Sequence, residues 1–341
     1  MMKNKIHKIL LSVCACHIFF LSCDTVHEFP DDNSSNPYMI DVNLSIAIDM
    51  NMDADTIFQT YANMLGGDYD IRYIVDIYES DPDIQTRVDN RIKRIVKTEN
   101  SIITQGIYKI QEKLALPQKK YKIMAWIDFV EKGTTADKYY TTDNLQTITV
   151  IQQPLQHGYD VTKDAFAGNT DMDLTVYENQ RFIHHDAVVD VMRPFAVYQI
   201  ITTDVEEYIT YHPERSYSSI MPSTTRLVYN LFFPLGYNEF LQVPDNFKTG
   251  INYTFNITEL TPQKEALVAS DIVFVGDDTF YSVDFEMLSA EDEHINTIQG
   301  LHINLKRNKL TIIRGEFLTK NINDGSVGID DDFGDEIIIN L

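Results

Sequence analysis

Cys23 is the residue whose position most clearly indicates chemistry. Three lysines within the first eight residues precede a mostly apolar run at residues 9–21, and a serine stands directly before Cys23. A basic segment, an apolar segment and a small residue at the break make a secretory signal. A cysteine directly after that break is typical of lipoprotein processing. The alternative is a transmembrane anchor, but the apolar run is shorter than the roughly 20 residues that a spanning helix needs. We therefore expect residues 1–22 to be removed and Cys23 to be lipidated.

Other residues that could do chemistry give no catalytic or metal pattern. The remaining cysteines, Cys14 and Cys16, fall in the expected signal, so no disulfide framework, zinc site or thiol nucleophile is left. The chain has no Gly-rich phosphate loop, no Gly-x-Ser-x-Gly elbow and no His-Glu-x-x-His helix. His184 and His185 lack a further ligand at useful spacing and are interpreted as a polar linker. The acidic run at residues 330–336 does not have EF-hand spacing. The sequence predicts a protein that is not an enzyme and needs no cofactor or metal.

Charge excludes one class of partner. The formal net charge is −23, and loss of the signal removes lysines but no acidic residue. Nucleic-acid binding needs a concentrated basic face, and no such face is evident here. We therefore expect no nucleic-acid partner.

The pattern along the chain is mainly that of β-strands. At residues 38–48 every even position is apolar and most odd positions are polar, which is the period of a half-buried strand. Similar alternation occurs at residues 71–78 and 121–130. Short strands separated by turn residues favour an all-β sandwich fold. One early helix is expected at residues 52–65, where Gly66 and Gly67 would end it.

A second series of strands follows residue 187, and the linker between the two series is polar. We expect the series at residues 187–192, 195–202, 225–233, 253–259, 272–275 and 281–287. A hairpin is expected from residues 301–305 to 309–313, turning through Arg307 and Asn308. The predicted organisation is a signal at 1–22, an acidic stalk at 23–37, domains at 38–183 and 184–321, and an acidic tail at 322–341.

Trp126 is the single tryptophan, and two interpretations of it stay open. It alternates with Met124 and Asp128, on the strand face opposite Tyr121 and Ile123. If exposed, its ring could stack on a sugar. If buried, it would fill a second core beneath a loop.

Several segments together resemble a known family. Their order and spacing are similar to those of the fimbrillin-like lipoproteins of Bacteroides-type bacteria. The segments are residues 121–130 (YKIMAWIDFV), 139–145 (YYTTDNL), 164–168 (DAFAG), 192–196 (MRPFA), 308–319 (NKLTIIRGEFLT) and the acidic ending 328–339.

The resemblance implies two tandem transthyretin-like β-sandwich domains and a structural, minor or anchor subunit of a fimbria. It implies an outer-membrane, lipid-anchored location, and other fimbrial subunits as partners, joined by exchange of a β-strand. A surface glycan-binding lipoprotein, with a glycan as partner, is the alternative function. Trp126 would then contact the ligand.

The two ends of the chain bear on strand exchange. No Lys or Arg occurs between Lys8 and Arg72, so a trypsin-like protease has no site from which to remove the first strand alone. At the other end, a short β-branched segment follows a glycine-containing acidic linker. We expect this segment to form a strand, either in its own domain or in a neighbouring subunit; its residues are Glu336, Ile337, Ile338, Ile339 and Leu341.

Overall fold

The computed structural model describes nine segments of the chain. Cys23, the stalk, the helix expected at 52–65, the linker before the last strand and Leu341 lie outside the described residues. The described segments are residues 38–48, 67–80, 86–100, 108–151, 161–213, 221–257, 264–276, 278–320 and 336–340.

Within these segments the chain is built mainly from strands. One short helix, α1 (Val205–Tyr211), follows the tenth strand. The strands are β1 (Ile40–Ile48), β2 (Tyr69–Glu79), β3 (Arg91–Glu99), β4 (Tyr108–Leu116), β5 (Lys120–Glu131), β6 (Tyr140–Thr141), β7 (Ile148–Val150), β8 (Ala165–Asp173), β9 (His184–Val191), β10 (Phe195–Thr202), β11 (Thr224–Tyr229), β12 (Phe233–Asn238), β13 (Val243–Lys248), β14 (Asn252–Asn256), β15 (Ala266–Phe274), β16 (Asp278–Leu288), β17 (His294–Lys306), β18 (Leu310–Gly315) and β19 (Glu336–Asn340).

The first sandwich packs a three-stranded sheet, in the order β4-β1-β9, against a four-stranded sheet, β3-β2-β5-β8. The alternation in β1 explains its place, because its even residues point into the core and are fully or almost fully buried: Ile40, Val42, Leu44, Ile46 and Ile48. Each buried aliphatic side chain of this size stabilises the fold by about 1.5–3 kcal/mol. The burial of β1 is therefore a large part of the stability of this sandwich.

The second sandwich repeats the strand order of the first. Its sheets are β15-β10-β18-β19 and β14-β11-β16-β17. In both sandwiches the fourth, first and seventh strands form one sheet, and the third, second, fifth and sixth form the other. The first and seventh strands are parallel in each case. Within the described residues, β19 is the strand that has no counterpart in the first sandwich.

A third sheet joins the two sandwiches. It runs β13-β12-β7-β6, so strands from the first half of the chain pair with strands from the second half. Beneath it lies a third hydrophobic cluster, which combines Trp126 and Tyr140 with Phe195, Tyr237 and Phe274. The two sandwiches therefore share a buried junction.

The prediction of a mainly β sandwich fold is confirmed, but two details of connectivity were wrong. The strands expected to form a hairpin, β17 and β18, follow each other through the predicted turn but pair in different sheets, β17 with β16 and β18 with β10. The stretch at residues 167–186, expected to be a polar linker, holds most of β8. His184 and His185 lie in β9, which pairs with β1, so the first sandwich extends beyond residue 183.

Candidate strand-docking site and domain junction

The edge of the second sandwich carries the C-terminal strand. β19 pairs in parallel with β18, from Leu310 opposite Glu336 to Arg314 opposite Asn340. β10 occupies the other side of β18, also in parallel. β19 has one neighbour in its sheet, so this strand is an addition to an already complete seven-stranded unit.

The chain is fixed immediately before the tail begins. Asp204 accepts hydrogen bonds from the backbone N–H groups of Leu318 and Thr319, at 3.1 and 2.7 Å from Oδ2. Gly315 packs directly beneath Phe317, and a Cβ at Gly315 would lie 2.7 Å from that ring. The turn at residues 317–319 is therefore held to the core of its own sandwich.

The length of chain between this turn and β19 decides what the strand can reach. The connection from Lys320 to Glu336 spans sixteen Cα steps. At 3.3–3.6 Å per residue its maximum span is about 55 Å. That length allows the return to the start of β18 that a parallel pair requires. It also allows the strand to reach the edge of an adjacent molecule.

A buried ion pair lies where the two sandwiches meet. Arg193, between β9 and β10, and Asp164, before β8, are both fully buried. Arg193 Nη2 donates to Asp164 Oδ2 at 2.7 Å, and Arg193 Nε donates to Oδ1 at 2.7 Å. Arg193 also faces the ring of Phe166 at 5.0 Å. Because two parallel hydrogen bonds join the guanidinium and the carboxylate, their relative orientation is defined, and the pair fixes the orientation of both loops.

The same junction includes the turn between β17 and β18. Arg193 Nη1 donates to Asn308 Oδ1 at 3.4 Å, and Arg307 Nε donates to the carbonyl oxygen of Arg193 at 3.2 Å. Asn308 has a φ of 59°, in the left-handed region that Asn tolerates better than most residues. Asp164, Arg193 and Asn308 each belong to a segment that resembles the fimbrillin-like family. Three of those segments therefore meet at one point.

Glu239 is a second buried acid at this junction. Asn169 on β8 donates to its backbone oxygen at 2.5 Å and to Oε1 at 3.3 Å. Its Oε2 has no hydrogen-bond partner among the described residues. Burial raises the pKa of Glu239 to about 8, although the positive charges of Arg307 and Lys122 oppose this shift. The junction therefore holds a carboxyl group that is mainly protonated at neutral pH.

This protonation predicts a pH-dependent stability. Between pH 4.5 and about 8 the unfolded chain releases the proton of Glu239 while the folded chain retains it, so this group makes stability fall as pH rises through that range. We expect Glu239→Gln to remove this slope and to be about 1–3 kcal/mol more stable than the wild type at pH 8. Urea unfolding at pH 5 and pH 8 measures both effects. The exposed Glu178→Gln is the control, and an unchanged slope in Glu239→Gln would contradict the assignment.

Trp126 lies in the third cluster and is fully buried. Its ring meets that of Tyr140 edge-on, with centroids 5.2 Å apart. Of the two sequence-based interpretations, the structure agrees with a side chain that fills a second core. No face of Trp126 is available for a sugar in this structure.

β1 is the central strand of its sheet, with β4 antiparallel on one side and β9 parallel on the other. Removing it would separate β4 from β9 and open the core that it covers. Retention of this strand after processing stays a prediction.

The described segments contain neither a metal-binding cluster nor a membrane-spanning helix. No group of three or more His, Cys, Asp or Glu side chains there could hold a metal ion. No helix among those residues is long and apolar enough to cross a membrane.

A family model described as "Family of unknown function (DUF6562)" matches residues 35–341. The chain belongs to the DUF6562 family. A search of curated proteins by sequence found no match.

Solved structures that resemble this DUF6562 chain include fimbrial proteins. The fimbrial anchor protein Mfa2 of Porphyromonas gingivalis is 9% identical, with 76% of this chain and 81% of that chain covered and a TM-score of 0.42. A C-terminally truncated tip fimbrial protein, Mfa3, of the same organism is 10% identical, with coverages of 80% and 94% and a TM-score of 0.40. A fimbrial assembly protein of Parabacteroides distasonis is 12% identical, with coverages of 81% and 90% and a TM-score of 0.37.

Proposed function

We propose that this protein is a non-enzymatic, lipid-anchored structural subunit of a fimbria at the outer membrane. Its partners are other fimbrial subunits, and β19 joins them by adding to a sheet edge. The observation that carries the proposal is β19 itself. It is a supernumerary strand, connected through a long acidic segment to a firmly held turn.

The physical basis of assembly is β-strand addition. An edge strand presents unpaired backbone N–H and C=O groups, and an added strand satisfies them along its whole length. β19 is short and rich in isoleucine, so an exposed copy would aggregate unless it had a dedicated acceptor. Pairing with β18 of the same chain protects the strand before assembly. Release from β18 and pairing with a neighbouring subunit would conserve the number of backbone hydrogen bonds.

A reversible disulfide between β18 and β19, called the lock below, tests this role. Ile312 and Ile338 are Cα partners across the β18–β19 pair. Adjacent strands lie about 4.8 Å apart, within the Cα separation that a disulfide accepts. We expect the variant with Ile312→Cys and Ile338→Cys to stay out of high-molecular-weight fimbrial polymers when oxidised and to enter them after reduction. The measurement is the fraction of protein recovered in polymers from cells.

The lock has a matched control and a clear contradiction. The single Ile338→Cys variant changes the strand in the same way but cannot close the bridge, so it should assemble as the wild type does. The expected processing leaves Cys23 as the sole native cysteine, which limits competing disulfides. Equal polymer yields from the oxidised lock and the wild type would show that β19 is not the assembling strand.

Lipid anchoring through Cys23 is tested separately. We expect Cys23→Ala to move the protein from the membrane fraction to the soluble fraction. The chain is strongly acidic, and Arg91, Arg94 and Lys97 of the basic strand β3 are already paired with acidic residues, so little remains to bind anionic lipid. Cys16→Ala, within the expected signal, is the control and should remain with the membrane. Continued sedimentation of Cys23→Ala with membranes would rule out Cys23 as the anchor.

A further inference from the structure

The outer face of the β4-β1-β9 sheet carries a regular array of polar side chains. Because the even residues of β1 point into the core, its odd residues point outward. Strand register places Asn43 opposite Lys113 on β4 and Asp186 on β9. The next row has Ser45 between Gln111 on β4 and Val188 on β9. Neighbouring strands are about 4.8 Å apart, so these side chains form two adjoining rows, which are polar apart from Val188.

A trough of about 830 Å³ lies over these rows. It is lined by Asn43, Ser45, Gln111, Glu112, Lys113 and Asp186. Its volume falls within the range of roughly 300–1,000 Å³ that is typical of small-molecule sites. Asn43 Nδ2 donates to Asp186 Oδ1 at 2.9 Å, which orients both groups across the strand pair. The polar groups are therefore arranged by the sheet.

The chemistry of the lining selects a class of ligand. Two amides, a hydroxyl, the carboxylate of Asp186 and the ammonium group of Lys113 offer both donors and acceptors. Glu112 borders the trough, but its carboxylate points into the core, where it accepts a hydrogen bond from Tyr73. Among the described residues, no aromatic or large aliphatic side chain lines the trough, which disfavours a lipid or an apolar cofactor. The one outward carboxylate and the one ammonium group balance, so the trough has no net positive charge to select phosphate or another anion. A neutral molecule with many hydroxyl groups matches such a surface.

We propose that this trough binds a segment of a neutral glycan chain. The carboxylate of Asp186 and the amide of Asn43 form hydrogen bonds with neighbouring hydroxyl groups of one sugar. Gln111 and Ser45 contact the next sugar. The site lies in the first sandwich, away from β18 and β19, so it does not depend on the proposed role in fimbrial assembly.

Isothermal titration tests the site with defined probes. The mature full-length protein is purified in a detergent without a sugar headgroup and titrated with maltohexaose, xylohexaose, mannohexaose and chitohexaose. We expect at least one hexasaccharide to bind, and binding to weaken at least tenfold in Asp186→Ala and in Asn43→Ala. Both residues are exposed, so the melting temperature should stay close to that of the wild type.

The control lies on the same strand. Asp190→Ala removes an exposed carboxylate from β9 outside the trough and should leave the affinity unchanged. Absence of binding by the wild type to all four probes would overturn the proposal, as would equal affinities of Asp186→Ala and wild type. Titration of dispersed protein does not measure polymer formation, so this result is separable from the test of the β18–β19 lock.

Discussion

Asp164→Ala is expected to destabilise the protein by about 3–5 kcal/mol, because it leaves Arg193 charged and fully buried without its carboxylate. Asp164 receives three hydrogen bonds from Arg193, at 2.7, 2.9 and 2.7 Å. Arg193 also contacts the β17–β18 turn through Asn308. Loss of Asp164 therefore weakens the junction between the sandwiches as well as the ion pair. Urea unfolding at neutral pH measures the change.

Two controls separate burial from charge. Asp171→Ala makes the same charge change at an exposed carboxylate, whose Oδ2 lies 3.3 Å from Nζ of Lys122. Its expected cost is about 0.5 kcal/mol or less. Asp164→Asn retains a hydrogen-bond acceptor and should fall between the two. A cost below about 1 kcal/mol for Asp164→Ala would mean that the junction does not depend on this pair.

Trp126→Ala should cost about 3–5 kcal/mol, as expected when a fully buried large aromatic side chain is removed from a packed core. The third cluster would lose its contact between Trp126 and Tyr140, and a cavity would remain where the indole ring was. Thermal unfolding followed by circular dichroism is suitable, because the substitution removes the only tryptophan fluorophore.

Trp126→Phe and Phe182→Ala are the matched controls. The phenylalanine substitution refills most of the space and should cost less than Trp126→Ala. Phe182 is 81% exposed, so its truncation should have little effect. If Trp126→Ala left stability unchanged and abolished binding to a glycan, the side chain would be a ligand contact and its assignment to the core would be wrong.

The sequence alone determined the strand character of much of the chain. Alternation predicted β1, β2 and β5, because burial of one face is a local property that repeats every two residues. The sequence also predicted the turn at Arg307 and Asn308. The edge strand β3 was harder to recognise, since Lys and Arg occupy four of its nine positions and its buried face is small.

Only the tertiary structure decided which strands are neighbours. β18 pairs with β10 rather than with β17. β9, the last strand of the first sandwich, pairs with β1, the first. Asp164, Arg193 and Asn308 are separated by 29 and 115 residues, and nothing local in their surroundings indicates that they meet. Trp126 likewise lies on a strand face whose exposure the local sequence does not decide. In the structure, β6, β7 and β12 cover that face. Periodicity specifies which face of a strand is apolar, whereas long-range packing selects the element that buries it.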